Sequence, residues 1–127
     1  MTLPAELKYT KDHEWIRIDG DLAVVGITEF AQSELGEIVF CDLPAKGKSV
    51  KPGEALCVVE STKAASDVYA PISGKVAEAN AALSDTPALI NSDPYTNGWM
   101  VKLEDFDSAA VAGLMSAEQY QSLIAGK

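Results

Sequence analysis

The chain has 127 residues, 47% of them hydrophobic and 23% charged, which is enough for one domain with a buried core and little more. Its 19 acidic residues against 10 basic ones leave a formal net charge of −9 and a pI near 4.4. That balance argues against nucleic acid, whose phosphates need Lys/Arg clusters, and against an anionic membrane surface, and it suits basic partner surfaces. No apolar run approaches the about 20 residues that span a bilayer. Met1 to Thr10 contains neither a signal core nor an Arg/Ser-rich presequence, so the expected compartment is the cytoplasm, or the mitochondrial matrix if a transit peptide has been removed.

Strand signals dominate the first hundred residues. Glu14 to Ile18 alternates, Asp19-Gly20-Asp21 turns, and Leu22 to Ile27 runs back as a hairpin. Thr28 is a good N-cap for a short helix over 28–35, Glu29 favours its first turn through the helix dipole, and Gly36 suits a left-handed cap. Further strands are predicted at Glu37–Leu43, Ala55–Val59, Ser66–Tyr69, Gly74–Ala79 and Trp99–Leu103. Turn clusters separate them at Pro44–Gly47, Lys51–Gly53, Pro71–Gly74 and Asn91–Gly98. Cys41 and Cys57 both sit in apolar runs without a C-x-x-C or a nearby His, and read as buried free thiols.

The C-terminal segment, 107–126, reads as helical. Asp107 caps a turn that Gly113 stops, and Ser116-Ala117-Glu118-Gln119 has the capping-box pattern for a last helix to about Ala125. Tyr120, Leu123 and Ile124 would form its buried stripe. A weak repeat relates Gly36-Glu37-Ile38-Val39 to Gly74-Lys75-Val76-Ala77, each followed by a polar turn and another strand. Two similar β-halves packed face to face would make a small sandwich or flattened barrel.

Searches for catalytic patterns fail. There is one His, His13, with no partner evident in sequence, no nucleophile motif, and no phosphate-binding glycine loop. One segment stands out, Val58 to Val76, in which two strands over 57–76 flank a turn with Lys63 at its tip. Small residues (Ser61, Thr62, Ala64, Ala65, Ser66) surround the lysine and leave its amine clear of the surface, with Glu60 and Asp67 on the two sides. An ordinary hairpin with a solvated lysine is one reading. The other is an attachment lysine, because a cofactor carried on an arm needs a long side chain, an accessible tip and a rigid base.

The chain resembles the lipoyl-carrying H proteins of the glycine cleavage system over nearly its whole length. The resemblance lies in Tyr9–Trp15 (Y-T-K-D-H-E-W), Val25–Gln32 (V-G-I-T-E-F-A-Q), Leu35–Pro44 (L-G-E-I-V-F-C-D-L-P), Glu60–Gly74 (E-S-T-K-A-A-S-D…A-P-I-S-G) and Leu89–Met100 (L-I-N-S-D-P-Y-T-N-G-W-M). The lysine motif alone is shared with biotinyl and other lipoyl domains, but biotinyl domains usually carry Met on both sides of the lysine, where Thr62 and Ala64 stand here. Phe30 replaces a common His and Thr62 a common Val, and neither is expected to touch the lysine or its acidic neighbours.

This resemblance implies a mainly β fold, a lipoyl/biotinyl-type barrel-sandwich hybrid with a short helix after the N-terminal hairpin and C-terminal helices, in a single carrier domain over 1–127. It implies lipoic acid in amide linkage on Lys63, with Glu60 and Gly74 matching positions that guide lipoylation; for Gly74 a turn requirement is the equal alternative. It implies a cleft for the aminomethyl group at Glu14 and Asp67. The chain would be a carrier rather than an enzyme, and a monomer. Its partners would be a pyridoxal-phosphate glycine decarboxylase, a tetrahydrofolate-dependent aminomethyltransferase, dihydrolipoyl dehydrogenase and lipoylating enzymes. Two other readings stay open from sequence: an H-like lipoyl-relay or sulfur-carrier protein of lipoate metabolism, and an unmodified interaction module.

Overall fold

The computed structural model describes residues 3–125. Strand β1 (Lys8–Tyr9) pairs with β2 (Glu14–Asp19), which forms a hairpin with β3 (Leu22–Ile27). Helix α1 (Glu29–Leu35) follows, and then β4 (Ile38–Asp42), β5 (Ser49–Val50), β6 (Ala55–Ser61), β7 (Ala65–Tyr69) and β8 (Gly74–Ala79). Two single turns, α2 (Ala82–Asp85) and α3 (Leu89–Ser92), lead into β9 (Val101–Glu104). The chain closes with α4 (Ser108–Ala112) and α5 (Ala117–Ala125); residue 126 of the expected helical segment lies outside the described residues.

The strands make two antiparallel sheets, one of six strands in the order β1-β2-β3-β9-β8-β5 and one of three in the order β4-β6-β7. Their facing sides share one core that includes Ile16, Val25, Ile38, Val59, Val68, Ile72, Met100 and Leu103. A second apolar cluster lies on the other face of the β1–β3 region, where Tyr9, Trp15 and Val24 meet Tyr120 and Ile124 of α5. Tyr9 and Tyr120 stack with centroids 4.9 Å apart and planes 9° from parallel. This explains why Leu22–Ile27 is a continuous apolar run. Val25 faces the first cluster and Val24 the second, so β3 is covered on both faces.

The local capping signals operate as the residues suggest. Thr28 Oγ1 accepts from the Ala31 amide, Asp107 Oδ1 accepts from Ala109, and Ser116 and Gln119 bond reciprocally as a capping box. Gly36 ends α1 with φ +86° as expected, but its ψ of −157° lies outside the left-handed helical well. Leu123 is only partly buried, with Tyr120 and Ile124 carrying the α5 stripe.

The two expected β-halves form: β4 pairs with β6 in the three-stranded sheet and β8 with β9 in the six-stranded one, and the two sheets face each other across the shared core. Strand β5, which the sequence did not mark, crosses from the first half to pair with β8 through Ser49↔Lys75 and Val50↔Gly74. The predicted strand at Trp99 starts later, at Val101. The Trp99 carbonyl is taken by the Asn80 side chain, Nδ2, at 2.7 Å instead of by a strand amide. The predicted turn over Asn91–Gly98 begins inside α3.

Candidate functional site

Lys63 sits at the tip between β6 and β7, where Glu60 pairs with Ala65. Ser61 builds the turn: its Oγ accepts from the amides of Lys63 (3.1 Å) and Ala64 (3.0 Å), and its own amide donates to the Ala64 carbonyl at 2.8 Å. The Thr62 amide donates to the Glu37 carbonyl at 3.1 Å, which leans the tip onto the entry to β4. Lys63 is exposed, but its amine does not stand clear as expected. Nζ donates to the Glu34 carbonyl at 3.1 Å, and the stem crosses Gly36, where a Cβ would meet Cε at 2.9 Å. The reason is the α1 C-terminus, whose last carbonyls lack helical partners and attract a cation.

Beside this lysine opens a cleft of about 260 Å³. One wall is α1, with Phe30, Ala31, Glu34 and Leu35; the other is His13 and Glu14 together with Val59, Ser66, Asp67 and Val68. Glu14 and Asp67, distant in sequence, therefore face one space. Glu14 is 2% exposed, whereas Asp67 is exposed at the rim. Burial pushes the Glu14 carboxyl up from 4.5 to about 7, against a hydrogen bond from Thr10 that lowers it; Asp12 adds to the rise and the Tyr69 backbone opposes it. Thr10 Oγ1 donates to Glu14 Oε1 at 2.7 Å, and no Lys or Arg pairs with Glu14 among the described residues. Glu14 also borders a second cavity of about 580 Å³, shared with Thr10 and Tyr69.

The arrangement fits a flexible arm that ends in a cation. Ile27, Leu35, Val59 and Val68 offer apolar surface to an aliphatic chain. Rim Asp67, and buried Glu14 once an ammonium beside it draws off its proton, offer the negative charge without which burying an ammonium is prohibitive. His13 has φ +72°; its Nδ1 lies 2.8 Å from the Tyr120 hydroxyl and its ring lies 4.9 Å from that of Phe30. Phe30 lines the same cleft as the two carboxylates.

The glycine cleavage H-protein family model matches residues 7–127. The chain belongs to this family. A glycine cleavage system H protein from Carboxydothermus hydrogenoformans is 49% identical over 122 residues, covering 96% of this chain and 94% of that protein. The crystal structure of a glycine cleavage system H protein from Mycobacterium marinum superposes with a TM-score of 0.88 at 42% identity, covering 97% of this chain and 99% of that one. The two-sheet arrangement with its short helices is thus the lipoyl-type barrel-sandwich fold, not a closed barrel.

The cleft gathers Glu14 and Asp67, while Glu60 and Gly74, expected in a separate role, lie outside it. Glu60 is exposed on β6, opposite Phe40 and Ala65. Gly74 opens β8 in the other sheet, and its φ is not positive, so a turn requirement does not explain it. Space does: a Cβ there would stand 3.1 Å from the Glu104 carbonyl oxygen and 3.2 Å from Leu103 Cβ. Cys41 and Cys57 are free and buried, with burial pushing the Cys41 thiol up to about 12 and that of Cys57 well above its ordinary value. Sequence reasoning missed Glu34 and Asn91. Glu34 acts through its carbonyl, which leaves no side-chain signature; Asn91 sat in the I-N-S-D-P-Y motif as an unexplained polar residue.

Proposed function

We propose that this chain is the lipoyl shuttle of the glycine cleavage system, with lipoic acid joined to Lys63 by an amide. The observation that carries the reading is the placement of Lys63, an exposed hairpin-tip lysine whose Nζ donates to the carbonyl of Glu34, a residue lining the cleft that also holds the buried carboxyl of Glu14. When bound, lipoic acid supplies a disulfide that takes up an aminomethyl group with its own reduction and is left as a dithiol for reoxidation. The chain's residues hold and shelter. Ser61 keeps the tip rigid, the Glu34 carbonyl accepts from the Lys63 nitrogen, the apolar wall excludes water, and Glu14 with Asp67 neutralises an ammonium.

The aminomethyl group would pass from a pyridoxal-phosphate glycine decarboxylase to a tetrahydrofolate-dependent aminomethyltransferase, and dihydrolipoyl dehydrogenase would reoxidise the arm. The chain would be a carrier and substrate of these enzymes and not an enzyme itself, acting as a monomeric single domain over 1–127 in a bacterial-type cytoplasm. Glu60 and Gly74 would be read by the lipoylating enzymes, Glu60 directly from the exposed face of β6 and Gly74 through the backbone position it permits. Family membership supports the carrier role. The test is peptide mapping of protein from its host, with Lys63→Arg beside it in a glycine–bicarbonate exchange assay. Lipoate on Lys63 alone and loss of exchange in a folded Lys63→Arg protein are expected; exchange at the wild-type rate in that variant rejects the reading.

A further inference from the structure

Lys63 rests on the backbone turn that joins α1 to β4. The Glu34 carbonyl accepts from its Nζ at 3.1 Å and Gly36 lies beneath its stem. Helix α1 anchors that turn only in part: it is seven residues long, none of its residues is buried, and Ala31 and Leu35 reach the core while remaining partly exposed. Gly36 adopts φ +86°, ψ −157°, a conformation that glycine reaches but does not prefer over others. Besides the Thr62 amide on the Glu37 carbonyl, one further group outside the turn fixes it.

That group is Asn91. Its carboxamide arrives from α3, next to the fully buried Ile90, which ties it to the core. Its Oδ1 accepts from the Ile38 amide at 2.8 Å. Its Nδ2 donates to Gln32 Oε1 at 2.8 Å and to the Gly36 carbonyl at 2.8 Å. One side chain thus bonds the last turn of α1, the linking glycine and the first residue of β4. Gln32 lies one turn before Gly36, and the Gly36 amide donates to the Gln32 carbonyl at 2.9 Å.

The geometry points to Asn91 as the positioning residue of the attachment lysine: by clamping Gln32, Gly36 and Ile38 it sets the shelf along which the Lys63 arm enters the acidic cleft. The inference rests on the reading of Lys63 given above. The shelf serves the modified arm too, since amide formation removes the charge of Nζ but leaves one N–H to donate to the Glu34 carbonyl. Asn91 does not touch the arm; it acts through Gly36 and the end of α1, which is also the wall of the cleft that carries Glu34 and Leu35.

The test labels the amines of the full, unlipoylated chain with limiting trinitrobenzenesulfonate and maps the product at each lysine by mass spectrometry. Exposed Lys46, Lys51 and Lys75 serve as internal references. Asn91→Ala removes the clamp, and Lys63 labelling relative to those lysines is expected to rise about two- to tenfold, the change that loss of one hydrogen bond produces. General loosening is read separately, by hydrogen exchange of β8, which is expected to stay at the wild-type rate; a rise in the Lys63 ratio that comes only with faster β8 exchange also overturns the proposal. A folded variant with the wild-type Lys63 ratio overturns the proposal. Should Asn91→Ala not fold, Asn91→Ser, whose hydroxyl can still accept from Ile38, is labelled in its place with the same two outcomes. Lipoate mapped to a different lysine would reject the attachment reading without altering this ratio, so the two failures are distinguishable.

Discussion

The Nζ of Lys63 lies 3.1 Å from the carbonyl oxygen of Glu34, at the mouth of the cleft in which Glu14 is buried. A hairpin tip and a helix end, far apart in the chain, therefore meet at the point where an arm on Lys63 would choose between solvent and cleft. The contact joins a local feature, a small-residue turn, to a feature made only by packing.

Replacing Gly36 should disturb both sides of that contact. Its φ of +86° with ψ of −157° is strained for any residue with a Cβ, and the added methyl would press on Lys63 Cε at 2.9 Å. Gly36→Ala should lose about 1–3 kcal/mol of stability. Urea unfolding at neutral pH reads this directly, and an unchanged midpoint would show that the turn relaxes freely.

Glu14 should make stability fall as pH rises. Its folded value, about 7, is above the ordinary 4.5 because burial disfavours the charged form. The folded chain therefore binds this proton more tightly than the unfolded chain. The contribution is complete below pH 4.5, declines between 4.5 and about 7, and is gone above that, a loss of about 3 kcal/mol at most. Glu14→Gln should flatten that part of the profile. Comparing the slopes of unfolding free energy against pH for the two proteins tests it; identical slopes would remove Glu14 as the titrating group.

Glu14 and Asp67 should protect a cationic guest. In protein loaded through the decarboxylase and then isolated, Glu14→Gln and Asp67→Asn should leave lipoylation intact and speed spontaneous release of ammonia. Glu14 should show the larger effect because a buried charge is screened less than an exposed one. The measurement is ammonia against time without the transferase, and decay equal to wild type in both variants would dismiss the electrostatic cradle.

Tyr120 should link the last helix to the cleft wall. Its hydroxyl lies 2.8 Å from His13 Nδ1 and 2.8 Å from Thr28 Oγ1, the N-cap of α1. Tyr120→Phe keeps the stack on Tyr9 and removes both bonds, the buried one to Thr28 and the part-buried one to His13, at a cost of about 1–3 kcal/mol. Thermal unfolding should show a lower midpoint. Hydrogen exchange should show faster opening of α1 than of β8; equal acceleration of both would point to a global effect instead.

What the sequence determined by itself is what operates over a few residues. Thr28, Asp107 and the Ser116–Gln119 pair cap helices through bonds that span two or three positions, so composition and spacing suffice to place them. The Lys63 turn is legible for the same reason, since Ser61 reaches only to Lys63 and Ala64. Tertiary structure decided the rest. Period-two alternation marks a strand but carries no address for its partner, so only the fold places the two-residue β5 against β8. Glu14 reads as one more acid until α1 and β7 close over it and water is excluded. Gly36 was visible as a helix stop, but its ψ reflects a clamp from Asn91 in a distant segment. A carboxamide reveals its partners only after the core has brought them within reach, because those bonds are selected by the packing of the whole chain and not by the residues beside it.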